Sequence, residues 1–151
     1  MSVERMDHAG IVVEDLAAAV AFFVELGLEL EGQAAVEGEW VDQLVALDGV
    51  RADMAMLRVP GGQGRVELST FHSPTTTATA PWEPVNTPGI PRLTFVVDDV
   101  DDVYGRLRAH GAELVGEVAQ YEAIYRYGYV RGPAGVILGL VEELRGTQGG
   151  G

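Results

Sequence analysis

At 151 residues and 47% hydrophobic composition, the chain fits a single globular domain, and its lack of cysteine excludes disulfides, thiolate metal ligands and a thiol nucleophile. A formal net charge of −13 argues against binding to nucleic acid, which requires clustered cations. The sequence has no run of the roughly 18 apolar residues that a membrane helix needs and no secretory signal near its start, so it predicts a cytoplasmic protein that spans no membrane.

The most informative feature of the sequence is an internal repeat. Residues 7–32 align with residues 91–116 without a gap, and the two segments are identical at seven positions. Each segment opens with a short β-rich run, at 9–13 in the first copy and at 93–97 in the second. The sequence therefore predicts two copies of one structural unit.

A helix is predicted after each of these strands. Asp15 and Asp99 stand where a carboxylate accepts hydrogen bonds from the first free N–H groups of a helix. Gly27 and Gly111 are expected to end the helices, because glycine readily adopts the left-handed conformation found after a helix C-terminus. The apolar residues between them recur at the i, i+3, i+4 and i+7 spacing of one helix face: Leu16, Ala19, Val20 and Phe23 in the first copy, and Val100, Val103, Tyr104 and Leu107 in the second.

Further strands complete each copy. An extended run is predicted from Glu29 and from Glu113, followed by strands at 51–59 and 65–71 in the first copy and at 125–130 and 136–142 in the second. We therefore predict an α+β protein of two tandem βαβββ modules that form a curved mixed sheet around one cleft. The predicted bounds are 1–145 for the domain, 5–72 and 91–144 for the modules, 73–90 for a linker and 146–151 for a flexible tail.

One segment of the first copy, residues 39–47, has no counterpart in the second. The spacing of Trp40, Leu44 and Leu47 is that of a short amphipathic helix. Such a helix beside the cleft serves as a lid or simply packs on the surface, and the sequence leaves both interpretations open.

Alternation along the strands assigns side chains to faces. His8 and Glu67 in the first copy, and Arg92 and Gly139 in the second, fall on the faces that point away from the helices. If the two sheets curve around one cleft, these four positions meet there.

A tyrosine cluster lies in the second copy. Tyr125, Tyr127 and Tyr129 alternate and therefore share one face, with Tyr121 and Glu122 just before them. Tyrosine rings of this kind line small-molecule pockets, dimer surfaces or the edge of a core. Glu122 is a candidate catalytic base.

Three runs of residues carry a resemblance to a known family: HAGIVVEDL at 8–16, GRVEL at 64–68 and RGPAG at 131–135. They resemble the vicinal oxygen chelate superfamily, which includes glyoxalase I, methylmalonyl-CoA epimerase, extradiol dioxygenases, and fosfomycin and bleomycin resistance proteins. The resemblance covers about residues 5–144 and implies a small-molecule ligand and a homodimer. In metal-using relatives, four side chains at the equivalent positions hold a divalent ion that polarises two substrate oxygens.

The site implied by this resemblance is incomplete. His8 and Glu67 match metal ligands, but Arg92 replaces an expected histidine and Gly139 an expected glutamate. A divalent ion (Zn, Ni, Co, Mn or Fe) at His8 and Glu67 is one alternative. In the other, Arg92, which cannot coordinate a cation, pairs with Glu67 or presents its guanidinium to a substrate carboxylate or phosphate.

Three functions follow from the resemblance, and the sequence does not decide whether the protein is an enzyme. The first is a metal-assisted isomerase or lyase that removes a proton next to a carbonyl. The second is a metal-free binding protein of the bleomycin-resistance type. An extradiol dioxygenase ranks last, because two histidines and a glutamate cannot be assembled at these positions. The candidate residues are Glu67 and Glu122 for catalysis, and Arg92, Tyr121, Tyr125 and Trp40 for substrate binding.

Overall fold

The computed structural model describes residue 2 and residues 4–75, 83–84, 86–89 and 92–144, so the predicted tail and much of the predicted linker lie outside the described residues. The chain divides into two compact units, Met1–Thr79 and Ala80–Gly151. No helix within the described ranges is long and apolar enough to cross a membrane.

The elements of the first unit are β1 (Ala9–Val12), α1 (Leu16–Leu26), β2 (Glu29–Glu37), α2 (Glu39–Val45), β3 (Arg51–Arg58) and β4 (Arg65–Ser73). Those of the second are β5 (Arg92–Val97), α3 (Val100–Arg108), β6 (Glu113–Leu114), β7 (Ala119–Tyr121), β8 (Tyr125–Arg131), a 3-10 turn (Pro133–Gly135) and β9 (Ile137–Glu143).

Each unit forms its own mixed sheet, which confirms the α+β class and the two βαβββ modules. The first sheet has the order β1-β4-β3-β2, and the second has the order β5-β9-β8-β6 with β7 added on β8. In both sheets the strand before the helix pairs in parallel with the last strand of the module, β1 with β4 and β5 with β9. The other pairings are antiparallel.

The predicted helix N-caps are confirmed in both modules. The Asp15 carboxylate accepts a hydrogen bond from the Ala18 N–H at 3.0 Å, and the Asp99 carboxylate accepts one from the Asp102 N–H at 3.0 Å. Both cap residues have extended backbone angles, as expected of a residue that precedes the first helical turn. The helices start at equivalent positions of the repeat because the same side chain satisfies the same N–H groups.

The helix C-termini differ from each other. Helix α1 ends at Gly27, whose φ of 126° lies in the region that favours glycine and whose N–H donates to the Phe23 and Val24 carbonyls. Helix α3 ends earlier, at Arg108, and Ala109 keeps a right-handed conformation. A short turn then carries the chain to Gly111, whose φ of 91° is left-handed as predicted. The Ala112 N–H donates to the Leu107 carbonyl just as the Leu28 N–H donates to the Phe23 carbonyl, so Gly111 closes the helix although its regular part ends at Arg108.

The core of each module lies between its helix and its sheet. Helix α1 packs on β3 and β4, and α3 packs on β8 and β9. The predicted alternation holds: Val66 and Leu68 are buried, whereas Val12 and Val96 on the opposite faces are exposed. The largest fully buried side chains are Phe22, Phe23, Leu57 and Leu68 in the first module, and Leu107, Leu138, Leu140 and Ile137 in the second.

The short helix α2 presents a different face to the core than its apolar spacing predicts. Val41 is buried in a small cluster with Val50 and Ala52, whereas Trp40 and Leu44 are exposed. The helix is also shorter than predicted and ends at Val45. The Asp42 carboxylate accepts hydrogen bonds from the Gly49 and Val50 N–H groups, and these bonds fix the loop after the helix.

An ion pair ties α3 to β8 on the helix-facing side of the second sheet. Arg126 donates a hydrogen bond to the Asp101 carboxylate at 2.6 Å, and this bond holds the pKa of Asp101 below its usual value of 3.8. A carboxyl whose pKa is lower in the folded than in the unfolded chain adds stability above its unfolded pKa, and this contribution is lost as the pH falls through its folded pKa.

Asp101→Asn is therefore expected to lower the urea midpoint at pH 7, and the difference from the parent chain should shrink as the pH falls below 3.8. Urea unfolding at neutral pH and near pH 2.5 measures this effect. Asp98→Asn serves as the control, because Asp98 makes no ion pair with any described residue of the second unit. A midpoint difference for Asp101→Asn that stays constant across the range would contradict the assignment.

Candidate functional site

In the first module, an imidazole lies between two carboxylates. His8 precedes β1, and its Nδ1 lies 2.7 Å from Asp7 Oδ2 while its Nε2 lies 3.3 Å from Glu67 Oε2. The parallel pairing of β1 with β4 places Glu67 opposite Gly10, which puts its side chain on the same face as His8. The structure thus brings the two predicted metal-ligand candidates of this module together and adds Asp7.

Arginines border this group. Arg65 forms an ion pair with Glu31 at 2.7 Å and a longer one with Asp7 at 3.5 Å. The hydrogen bond with Glu31 raises the pKa of Arg65. The pKa of Asp7 is lowered from its usual value, first by the hydrogen bond with His8 and then by the one with Arg5. The Asp7 carboxylate is therefore already engaged by two arginines as well as by the imidazole.

In the second module, the equivalent positions carry a guanidinium and hydroxyls. Arg92, the first residue of β5, donates a hydrogen bond from Nη1 to the Tyr129 hydroxyl at 3.0 Å, and its Cζ lies 5.1 Å from the centre of that ring. Thr94 Oγ1 lies 3.4 Å from the Tyr127 hydroxyl. We call Arg92, Thr94, Tyr127 and Tyr129 the hydroxyl–guanidinium cluster.

The Tyr129 hydroxyl stays protonated at neutral pH. The pKa of Tyr129 is raised above its usual 10.0, first by the hydrogen bond with Tyr127 and then by burial, while Arg92 acts in the opposite direction with a smaller effect. Tyr129 therefore carries no negative charge that would neutralise Arg92.

The space around Gly139 is closed. Gly139 lies in the central strand β9, opposite Thr94 on one side and Tyr129 on the other. A Cβ added at Gly139 would lie 2.7 Å from Thr94 Oγ1 and 3.2 Å from the Tyr127 hydroxyl. The sequence indicates that Gly139 lacks an expected metal-ligating side chain. In the structure, the hydroxyls of Thr94 and Tyr127 lie next to the position that the Cβ of such a side chain would take.

The four tyrosines form a continuous row, which we call the tyrosine ladder. Tyr121 on β7 stacks on Tyr125 of β8 with ring centres 5.7 Å apart. Tyr125 meets Tyr127 edge-on at 6.3 Å, and Tyr127 meets Tyr129 edge-on at 5.2 Å. The ladder therefore runs along one face of the second sheet and ends at Arg92.

The remaining predicted site residues, Trp40 and Glu122, belong to a helix and to a turn rather than to the strands that carry these groups. Trp40 is 63% exposed on α2, in a different element from His8 and Glu67. Glu122 lies in the exposed turn between β7 and β8 with a φ of 48°. Sequence reasoning omitted Asp7 and Thr94 from the site. Asp7 was visible as the neighbour of His8, and strand alternation places Thr94 on the face of Arg92, whereas its contact with the space at Gly139 follows only from the register of β5 against β9.

The residues present do not fit a metal ion held by two side chains from each module. The first module supplies His8 and Glu67, whereas the second supplies a cation at Arg92 and no side chain at Gly139. Among the described residues, no three histidine, aspartate or glutamate side chains come together as metal ligands would. At these positions the second module presents a guanidinium and hydroxyl groups rather than metal ligands.

Residues 5–140 match the model of the Glyoxalase/Bleomycin resistance protein/Dioxygenase superfamily. Among solved structures, a glyoxalase family protein from Bacillus cereus is 49% identical, with a TM-score of 0.89 over 95% of this chain and 97% of the other. Glyoxalase I from Leishmania major is 18% identical, with a TM-score of 0.65 over 98% and 93% of the two chains. An antibiotic binding protein from a Streptomyces species is 23% identical, with a TM-score of 0.56 over 95% and 98%. No curated protein matches the chain.

Proposed function

We propose that the chain, which belongs to the Glyoxalase/Bleomycin resistance protein/Dioxygenase superfamily, binds a small, oxygen-rich anion without a metal, because its second module has Arg92 and Gly139 in place of two expected metal ligands. Arg92 holds the carboxylate or phosphate of this ligand. Thr94, Tyr127 and Tyr129 donate hydrogen bonds to its other oxygens or accept hydrogen bonds from its hydroxyl groups.

The proposal rests on the partner of Arg92. Other arginines of the chain lie against carboxylates: Arg5 on Asp7, Arg58 on Glu29, Arg65 on Glu31, Arg106 on Asp102 and Arg126 on Asp101. Arg92 instead donates to a neutral hydroxyl, and no carboxylate of the second unit's described residues forms an ion pair with it. The net charge of −13 opposes the approach of an anion, but an arginine without a carboxylate partner supplies a local attraction against that field.

The guanidinium is also held in place. Its hydrogen bond to Tyr129 and its position over the same ring restrict the Arg92 side chain, so that less conformational entropy is lost when a ligand binds. Arg92 is exposed, so the remaining N–H groups of its fork are open to a bidentate acceptor such as a carboxylate.

Among the relatives, the Streptomyces protein is described as antibiotic-binding and the Leishmania protein as a trypanothione-dependent glyoxalase I. Both a binding protein and an enzyme are therefore found on this fold. The absence of a side chain at Gly139 favours binding for this chain, because a carboxylate at that position is the group that the enzyme mechanism implied by the resemblance would use.

The test is a titration with malonate and with inorganic phosphate in the presence of EDTA, followed by protein NMR or calorimetry. Arg92→Ala is expected to weaken binding about ten- to a hundredfold, the usual effect of losing a charged hydrogen bond. Arg108→Ala is the matched control, because Arg108 also lies over a tyrosine ring, that of Tyr104 on α3, and its loss changes the net charge equally.

Two outcomes would overturn the proposal. One is equal binding by Arg92→Ala and Arg108→Ala. The other is binding that EDTA abolishes and that Zn²⁺ or Mn²⁺ restores, which would favour the metal-assisted isomerase or lyase.

A further inference from the structure

From the tyrosine ladder we infer the class of ligand: an elongated anion that carries a flat aromatic ring at the end remote from its charge. The inference rests on the proposed function, since the anionic end is the one that Arg92 holds. The aromatic end lies on Tyr121 and Tyr125.

The exposure of the ladder changes along its length. Tyr129 and Tyr127 are half-buried and hydrogen-bonded within the hydroxyl–guanidinium cluster, whereas Tyr125 and Tyr121 are 36% and 55% exposed. The ladder thus has a cationic end at Arg92 and an accessible aromatic end at Tyr121 and Tyr125, where Glu143 is the partner of Tyr125 on β9 and disfavours the anionic part of a ligand. A ligand that matches both ends must combine an anion with an apolar group.

The shape of the accessible end favours a ring. Tyr121 and Tyr125 are cross-strand neighbours whose rings stack with an angle of 29° between their planes. Strand β7 pairs only with β8 among the described strands, so Tyr121 lies at a sheet edge. Aromatic rings gain attraction from stacked or edge-on contact beyond that of simple apolar burial, so the pair binds a flat ring better than a saturated chain.

The backbone sets the distance between the two ends. Tyr125 and Tyr129 lie four residues apart on β8, which at the usual rise of a strand separates them by about 13 Å. The ligand therefore needs a spacer between anion and ring, and a compact aromatic acid such as benzoate reaches only one end.

Charge identifies the occupant as a small anion rather than a second copy of the chain. Each copy carries a net charge of −13, and the aromatic row ends in a cation that no carboxylate of its own module neutralises. A small anion satisfies Arg92 without bringing a second highly acidic surface into contact.

The probes are phenylhexanoate, cyclohexylhexanoate, hexanoate and phenylhexanol. We expect phenylhexanoate to bind more tightly than cyclohexylhexanoate, because only the flat ring stacks, and phenylhexanol to bind weakly, because it lacks the anion. Tyr125→Leu should weaken phenylhexanoate binding about three- to tenfold and leave hexanoate binding within about twofold.

Two variants control for folding. Tyr125→Phe keeps the ring and should bind phenylhexanoate like the parent chain. Tyr104→Leu removes a tyrosine from α3 that also meets an arginine, and it should change neither affinity.

The inference is overturned if phenylhexanoate and cyclohexylhexanoate bind the parent chain equally, or if Tyr125→Leu and Tyr104→Leu behave alike. In both cases the ladder only stabilises the β7–β8 pairing. Failure of the proposed function gives a different result: hexanoate then binds the parent chain and Arg92→Ala with the same affinity.

Discussion

Gly139→Glu is expected to destabilise the protein by about 3 kcal/mol or more rather than to create a metal ligand. The new Cβ would lie 2.7 Å from Thr94 Oγ1, inside the normal contact distance, and β9 is bordered by a strand on each side. Movement of Thr94 would relieve the clash only by breaking its contact with Tyr127.

Gly139→Ala isolates the steric part of this effect, which we expect to be about 1–3 kcal/mol. The matched control is Gly10→Ala, because Gly10 also lies in a strand but a Cβ there meets nothing within 4 Å. Adding Thr94→Ala to Gly139→Ala removes the atom that clashes and should recover part of the loss. Urea unfolding followed by circular dichroism measures all four variants. Equal free energies of unfolding for Gly139→Ala and Gly10→Ala would show that the space is open.

Phe23→Ala and Leu107→Ala are expected to cost about 3–5 and 2–5 kcal/mol, respectively. The two residues occupy equivalent positions of the repeat, on α1 and on α3, and both side chains are fully buried. Each truncation leaves a cavity between a helix and a sheet that the close-packed core cannot fill. The repeat therefore predicts that one position has the same structural role in both modules.

Thermal or urea unfolding of the two variants tests this equivalence. Val24→Ala is the control, because Val24 follows Phe23 on the same helix but is 48% exposed, and its truncation should change the free energy of unfolding by less than about 1 kcal/mol. If either Phe23→Ala or Leu107→Ala behaved like Val24→Ala, the equivalence of the modules would not hold.

Local chemistry explains how much of this fold can be predicted from the sequence. Asp15 and Asp99 predict where the helices start, because each carboxylate accepts a hydrogen bond from a free N–H group in the first turn of its helix. Strand alternation assigns Val12 and Val96 to the exposed faces because side chains must point to opposite sides of a strand. Each of these rules depends on a few neighbouring residues, and each is confirmed.

The features that the sequence did not reveal depend on tertiary contacts. The apolar spacing of α2 predicts Trp40 and Leu44 as its packing face, but burial of Val41 against Val50 decides the orientation of the helix. The segment after Glu113 splits into β6 and β7, because both pair with the longer β8 at different points.

The candidate site also combines residues that local rules predict with contacts that depend on the tertiary structure. His8, Glu67 and Arg92 are found by alternation, whereas the contact of Thr94 with the space at Gly139 requires the register of β5 against β9. A single sequence shows which residue types are present but not which strands are neighbours. The replacement of a metal ligand by hydroxyl groups is therefore visible only in the folded chain.

The role of Arg92 is tested most directly by NMR of the arginine guanidinium groups during titration with malonate in EDTA. We predict that the Nε–H signal of Arg92 shifts with saturation, because the anion binds its fork, while the signal of Arg108 on α3 does not move. Equal shifts of both signals, or a shift of neither while malonate still binds, would contradict an anion site at the hydroxyl–guanidinium cluster.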